Sequence, residues 1–174
     1  MSLFGVTFKD QAVSAFDHAA LLAIVLRDGI LRGCGMSASG SNVTLAAGHL
    51  LAAGRVIGND AALTIPVTGS SGVARITLVI DLTATATEST FQQLSIRVDN
   101  ATDEAALPAL VQEDINDGIH TDYEVSLAVV NLGAAGVTSF VRKMGRAALR
   151  LRYGSAEPTT SDIDPGEIYL RRQD

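Results

Sequence analysis

A chain of 174 residues with 47% hydrophobic and 18% charged side chains describes one folded domain with its own core and excludes a disordered chain. Aromatic residues make up 5% and Trp is absent, so the core has to be built from Val, Ile, Leu and Ala. A net charge of −6 repels phosphate backbones and argues against nucleic acid, and the single Cys34 allows neither an intrachain disulfide nor a thiolate metal site.

Residues 1–28 read as an N-terminal segment with one helix. Ser14 can cap it, with Asp17 in the first turn, and Phe16, Ala19, Ala20 and Ala23 recur at helical spacing. Leu21, Leu22, Ile24, Val25 and Leu26 make the other faces apolar, so this helix is expected to be fully buried, within the domain or against another chain. The apolar run 19–26 is too short to span a bilayer and follows Lys9, Asp10 and Asp17. No membrane insertion and no signal peptide are expected, and synthesis is expected in a cytoplasm. The sequons at Asn42 and Asn100 then read as chance matches.

Residues 29–154 read as a β-rich domain. Glycines punctuate residues 29–58, and Ser39-Gly40-Ser41-Asn42 is a turn signal, which predicts three or four short antiparallel strands. Cys34, between Gly33 and Gly35, is expected to be a buried, inert thiol at a strand edge. Three later stretches alternate with period two. They are Ile76, Leu78 and Ile80; Leu94, Ile96 and Val98; and Tyr123, Val125, Leu127 and Val129. Such strands bury one face and turn the other to water or a partner, and several at short spacing indicate an antiparallel sandwich or barrel. A short helical insertion is expected within 102–115, beginning at or interrupted by Pro108, and a further strand over 137–142. Residues 155–174 read as an extended tail, with a strand at Glu167-Ile168-Tyr169-Leu170 that docks on the sheet or on another chain.

Reactive groups are scattered. His18, His49 and His120 lack the spacing of a helical metal pair, and no Gly-x-Ser-x-Gly elbow or phosphate loop occurs. His120 with Asp122 reads as a loop beside a strand start more readily than as a cation site. Asp114-Ile115-Asn116-Asp117-Gly118 likewise reads as a turn more readily than as part of a calcium loop. No enzyme, cofactor or metal is expected. Eight acidic residues lie between Asp99 and Glu124 with no Lys or Arg among them. Five basic residues, Arg142, Lys143, Arg146, Arg150 and Arg152, follow with no acid among them. The two blocks are expected to pair within or between chains, or to form two solvated faces.

The stretch Asp28-Gly29-Ile30-Leu31-Arg32-Gly33-Cys34-Gly35, then Asn42-Val43-Thr44-Leu45-Ala46-Ala47-Gly48, then Ala53-Gly54-Arg55-Val56-Ile57 carries a resemblance. It resembles the N-terminal domain of phage and prophage baseplate or tail-fibre proteins, where a Gly-Cys strand, a Val-Thr strand and a Gly-Arg strand follow one another, and the likeness extends over residues 1–142. The resemblance implies a non-catalytic virion subunit, made in the bacterial host. It would assemble with other tail proteins and with copies of itself, trimers being common. Arg55 is expected on the outer face or in an ion pair. The candidate interface residues are Phe16, Leu21 and Leu22 on the helix, the basic block Arg142 to Arg152, and Ile168, Tyr169 and Leu170 at the end. A carbohydrate- or receptor-binding module at a tail tip is the alternative, weakened by the scarcity of aromatic residues.

Overall fold

The computed structural model describes residues 14–87 and 91–148, and the backbone of 151–154 and 168–171. The fold is mainly β, with three antiparallel sheets and one helix, α1 (Ala15–Val25), and is compatible with a β-sandwich. The barrel alternative is not met: the described strands form separate open sheets.

Five short strands follow α1 where three or four were expected: β1 (Gly29–Gly33), β2 (Met36–Ser39), β3 (Asn42–Leu45), β4 (Gly48–Ala52) and β5 (Arg55–Asn59). With β6 (Leu63–Pro66) they divide between two three-stranded sheets, in the orders β1-β4-β5 and β2-β3-β6. The long strands β7 (Val73–Asp81), β8 (Leu94–Ala101), β9 (Asp122–Gly133) and β10 (Gly136–Arg142) make a four-stranded sheet in the order β10-β9-β7-β8. The core lies where these sheets meet. Val43, Leu45, Leu50 and Ile65 from the small sheets join Ile76, Leu78, Ile80, Leu127 and Val130 from the large one.

The sharp turns have local causes. Ser39 and Asn42 flank the two-residue Gly40–Ser41 connection between β2 and β3, with Gly40 at φ 55°. The β4–β5 turn holds both Ala53 (φ 47°) and Gly54 (φ 75°) in the left-handed region, the arrangement that matches strand twist in a tight hairpin. Asp28 secures it, its carboxylate accepting from the Ala53 N–H at 2.9 Å and from the Tyr123 hydroxyl at 2.8 Å.

Against β7 the β9 register shifts once. Ile76 pairs with Ala128 and Thr77 with Ser126, leaving Leu127 as the extra residue of a bulge. Because one residue reverses the faces, Val125 and Leu127 point to the core before the bulge and Val130 and Leu132 after it. Val129, expected to continue the first alternation, therefore falls outside the main core although it is buried.

The helical insertion reduces to a single 3-10 turn, Glu104–Ala106, capped by Asp103, whose carboxylate accepts from the Ala106 N–H. Pro108 follows directly, and the chain then runs extended. The Val111 carbonyl accepts from the Glu124 N–H, so residues here add to the free edge at the start of β9. After β10 the chain returns to β1, where Ile30 N–H donates to Gly145 and Ala147 N–H donates to Ile30. At the C-terminal end, β11 (Leu151–Gly154) and β12 (Ile168–Arg171) form a parallel two-stranded sheet of their own. The expected terminal strand exists, paired with β11 and not with the large sheet. The tail segment 155–165 lies outside the described residues.

Candidate interaction surface

Helix α1 begins as its sequence requires. The Ser14 hydroxyl oxygen accepts from the Asp17 N–H at 3.0 Å and donates to the Asp17 carboxylate at 2.5 Å. It rests on the β4–β5 turn at Gly54. A β-carbon there would lie 1.9 Å from the Ala19 carbonyl oxygen, so only glycine admits the helix at this distance, in addition to fitting φ 75°. Of the two expected ways to bury the helix, within the domain or against another chain, the first is not met among the described residues. Ala19 alone is buried on the helix, whereas Leu21 is 50% and Ile24 54% exposed, with Phe16 and Val25 also open. A small helix-to-turn contact can cover only one narrow stripe of a helix that is apolar all round.

A second apolar area lies beside the first turn of the helix. A groove of about 440 Å³ is lined by Phe16, Val56, Ile80, Leu82, Phe91 and Leu94, and at its rim Phe91 is 61% exposed. Sequence reasoning named Phe16, Leu21 and Leu22 and missed Val56 and Phe91. Leu22 is half-buried and belongs to the side facing the domain. The absence of any polar face on the helix signalled its open surface, whereas nothing along the chain ties Val56 and Phe91 to it.

The other candidates scatter. Arg142 and Lys143 are exposed at the end of β10, and Arg146 is exposed beside β1, where its residue bridges Ile30. Arg150 lies outside the described residues. Arg152 sits on β11, and Ile168, Tyr169 and Leu170 on β12, as backbone positions only. The two charge blocks meet once among the described residues, where Lys143 bonds Glu104 at 2.5 Å.

Most of the remaining acidic pairing is local. On the non-core face of the large sheet Arg75, Thr77, Arg97, Asp99 and Glu124 form one network, which buries part of a face expected to meet water or a partner, while Ser95 and the Arg97 side chain, 40% exposed, still reach water. Arg75 donates to Asp99 at 3.2 Å and to the Thr77 hydroxyl at 3.2 Å. Arg97 reaches Asp99 at 2.9 Å and bonds both oxygens of Glu124. The Val111 N–H adds a bond to Glu124 at 3.2 Å. Arg75, Thr77 and Glu124 are buried. The hydrogen bonds of Arg97 hold Glu124 below the usual carboxylate range against the effect of burial. For Asp99 burial is the largest influence and opposes the charge, but bonds from Arg97 and Arg75 together outweigh it and lower the pKa. The bonds to Glu124 and Asp99 push the Arg97 pKa further up. Two cations and two carboxylates balance, so the network closes on itself.

Arg55 was expected on the outer face or in an ion pair. It donates instead to the side-chain amide oxygen of Asn116 at 2.7 Å and to the main-chain oxygens of Ala53 and Ile115. Burial lowers its pKa, opposed by the charge of Asp114. The Asp114-to-Gly118 stretch is a turn, with Asp114 accepting from the Asn116 N–H and Asp117 from the N–H groups of Ile119 and His120. Those bonds pull the Asp117 pKa down to about 2, and the Asp117 carboxylate raises that of His120 across 2.5 Å. His120 thus pairs with Asp117 and not with Asp122. His49 accepts from Arg32 at 3.1 Å. Cys34 is buried at φ 53°, and burial pushes its thiol pKa up, which makes it a poor nucleophile at neutral pH. No group of three or more His, Cys, Asp or Glu side chains able to hold a metal occurs among the described residues. No described helix is long and apolar enough to cross a membrane.

Compared with protein families and with curated proteins, the chain matches no family model and no curated sequence.

Proposed function

We propose that this chain is a non-catalytic structural subunit of a phage tail or baseplate, or of a prophage-derived particle, and that it acts through protein–protein assembly. The observation that carries the assembly reading is the open apolar surface of Leu21, Ile24, Val25 and Phe91 beside a groove lined by Phe16, Val56 and Leu94. Several large apolar side chains left open on one helix and at the groove beside it are the kind of surface that contact with another protein covers. The Gly-Cys, Val-Thr and Gly-Arg strands of residues 28–57 support the viral assignment through their likeness to baseplate and tail-fibre proteins. In this reading α1 is a connector that another copy or a neighbouring tail protein covers, with trimers favoured among the symmetric assemblies. The particle would hold the protein as a virion component after synthesis in the host cytoplasm.

Multi-angle light scattering of the purified chain at micromolar concentration tests the reading. An oligomer is expected, and a monomer contradicts it. A carbohydrate- or receptor-binding role at the tail tip has one observation in its favour. A polar cleft of about 330 Å³ carries Tyr123, Gln112, Asp28, Arg27 and Lys143 on its walls, a donor and acceptor set suited to hydroxyl groups. Specific binding on a glycan array would move this role ahead of the connector role.

A further inference from the structure

We infer that β8 is a second contact surface, and that it pairs antiparallel with β8 of another copy about a two-fold axis at Val98. This deepens the assembly reading and rests on it. Strand β8 is the outermost strand of the large sheet, and its register with β7 runs unbroken from Ile80↔Leu94 to Val73↔Ala101. Among the described residues, only β7 makes backbone hydrogen bonds to Leu94–Ala101, and none bonds the outward N–H and C=O groups of the strand. The devices that usually blunt such an edge are missing: it has no proline, no bulge and no lysine. Its two charges, Arg97 and Asp99, take part in the sheet network, and the Arg97 side chain stays 40% exposed there.

A second, independent observation lies on the core side. Leu94, Ile96 and Val98 pack against the core yet remain half exposed along this edge. Leu94 and Ile96 also stand at an open apolar cleft of about 330 Å³ that reaches Leu63, Leu78 and Cys34. The core is therefore unfinished along the strand that could be extended.

Charge selects the occupant and the register. An antiparallel partner must keep the core-side residues of both strands on one face of the joined sheet, so facing positions must be both even or both odd. Among self-pairings that meet this condition, a two-fold at position 97 sets Arg97 against Arg97, one at 99 sets Asp99 against Asp99, and one at 96 sets Arg97 against Ser95 and Asp99 against Gln93, with no charge pair across the axis. A two-fold at Val98 sets Arg97 of each copy opposite Asp99 of the other, with Ile96 opposite Asn100 and Val98 opposite itself. Opposite charges facing across strands stabilise the pair and like charges weaken it. The product is a continuous eight-stranded sheet. Because a two-fold contact closes at two copies, combining it with a ring contact through α1 gives a dihedral particle.

The test uses the full chain. In an antiparallel pair, facing α-carbons lie about 4.5–5.5 Å apart, within disulfide range. Val98→Cys should therefore give a disulfide-linked dimer under mild oxidation. Ile119→Cys, on a loop at 80% exposure, should not, and buried Cys34 supplies no competing thiol. Val98→Lys sets two ammonium groups against each other on the axis and should halve the number of copies per particle in sedimentation velocity. An oligomeric wild type that Val98→Lys leaves unchanged, with Val98→Cys no better linked than Ile119→Cys, overturns the β8 contact and leaves the assembly reading standing. A monomeric wild type overturns both.

Discussion

The non-core face of the large sheet and the surface of α1 invert the usual relation between polarity and burial. On the sheet, Arg75, Thr77 and Glu124 are buried, and each is bonded to a neighbour. On the helix, Leu21 and Ile24 are apolar and open, with none of the described residues packed over them. A buried charge is tolerable only when paired and hydrogen-bonded, and the sheet meets that condition internally. The exposed aliphatic surface of the helix has no such remedy among the described residues. The difference separates a surface that is finished from one that is not.

Breaking the sheet side should have the larger effect. Glu124→Ala strips Arg97 of two bonds and leaves the Val111 N–H without its carboxylate partner. It should cost about 3 kcal/mol in urea unfolding, the scale for removing one partner of a buried pair. Gly54→Ala attacks the seat of the helix. The left-handed backbone alone costs about 1–2 kcal/mol there, and the contact with the Ala19 carbonyl adds to it, so a loss of about 2 kcal/mol or more is expected.

Acid offers a milder way to open the same network. Asp99 and Glu124 have folded pKa values below their unfolded ones. Their contribution is complete above about pH 4, near the unfolded values, and is lost as pH falls through the lower folded values. Denaturant midpoints should therefore hold from neutral pH down to that point and then fall, and Glu124→Gln should flatten the decline. The smallest effect belongs to His120, whose favourable pairing with Asp117 is present below the unfolded histidine pKa and lost as pH rises through the raised folded one. In NMR titration His120 should lose its proton above pH about 6.5, and Asp117→Asn should bring the midpoint back towards that value.

Much of this comparison was legible in the residues, and its key inversion was not. Ser14 and Asp17 marked the helix start, and the alternations of 76–80, 94–98 and 123–127 marked β7, β8 and the first half of β9. The bulge at Leu127 escaped because nothing in Ala128-Val129-Val130 marks where one residue is left unpaired. Arg75 and Thr77 read as outward residues because alternation gives the face of a side chain and not what covers it. Their burial depends on Arg97, Asp99 and Glu124, which lie far along the chain. The short helical insertion within 102–115 is the single turn that Asp103 caps, and Pro108, which lacks an N–H, follows directly on it. At the candidate surface, Leu21 was named from its apolar neighbours. Phe91 and Val56 join it only through the tertiary fold.

The most direct measurement is sedimentation velocity on the wild type and on a Leu21→Gln/Ile24→Gln double variant, with thermal unfolding of both alongside. Exposed substitutions should change folding stability by no more than about 0.5 kcal/mol each. The account predicts a wild-type oligomer and a smaller species for the variant, with its unfolding transition still cooperative. A wild type that sediments as a monomer, or a variant of unchanged size, would contradict it.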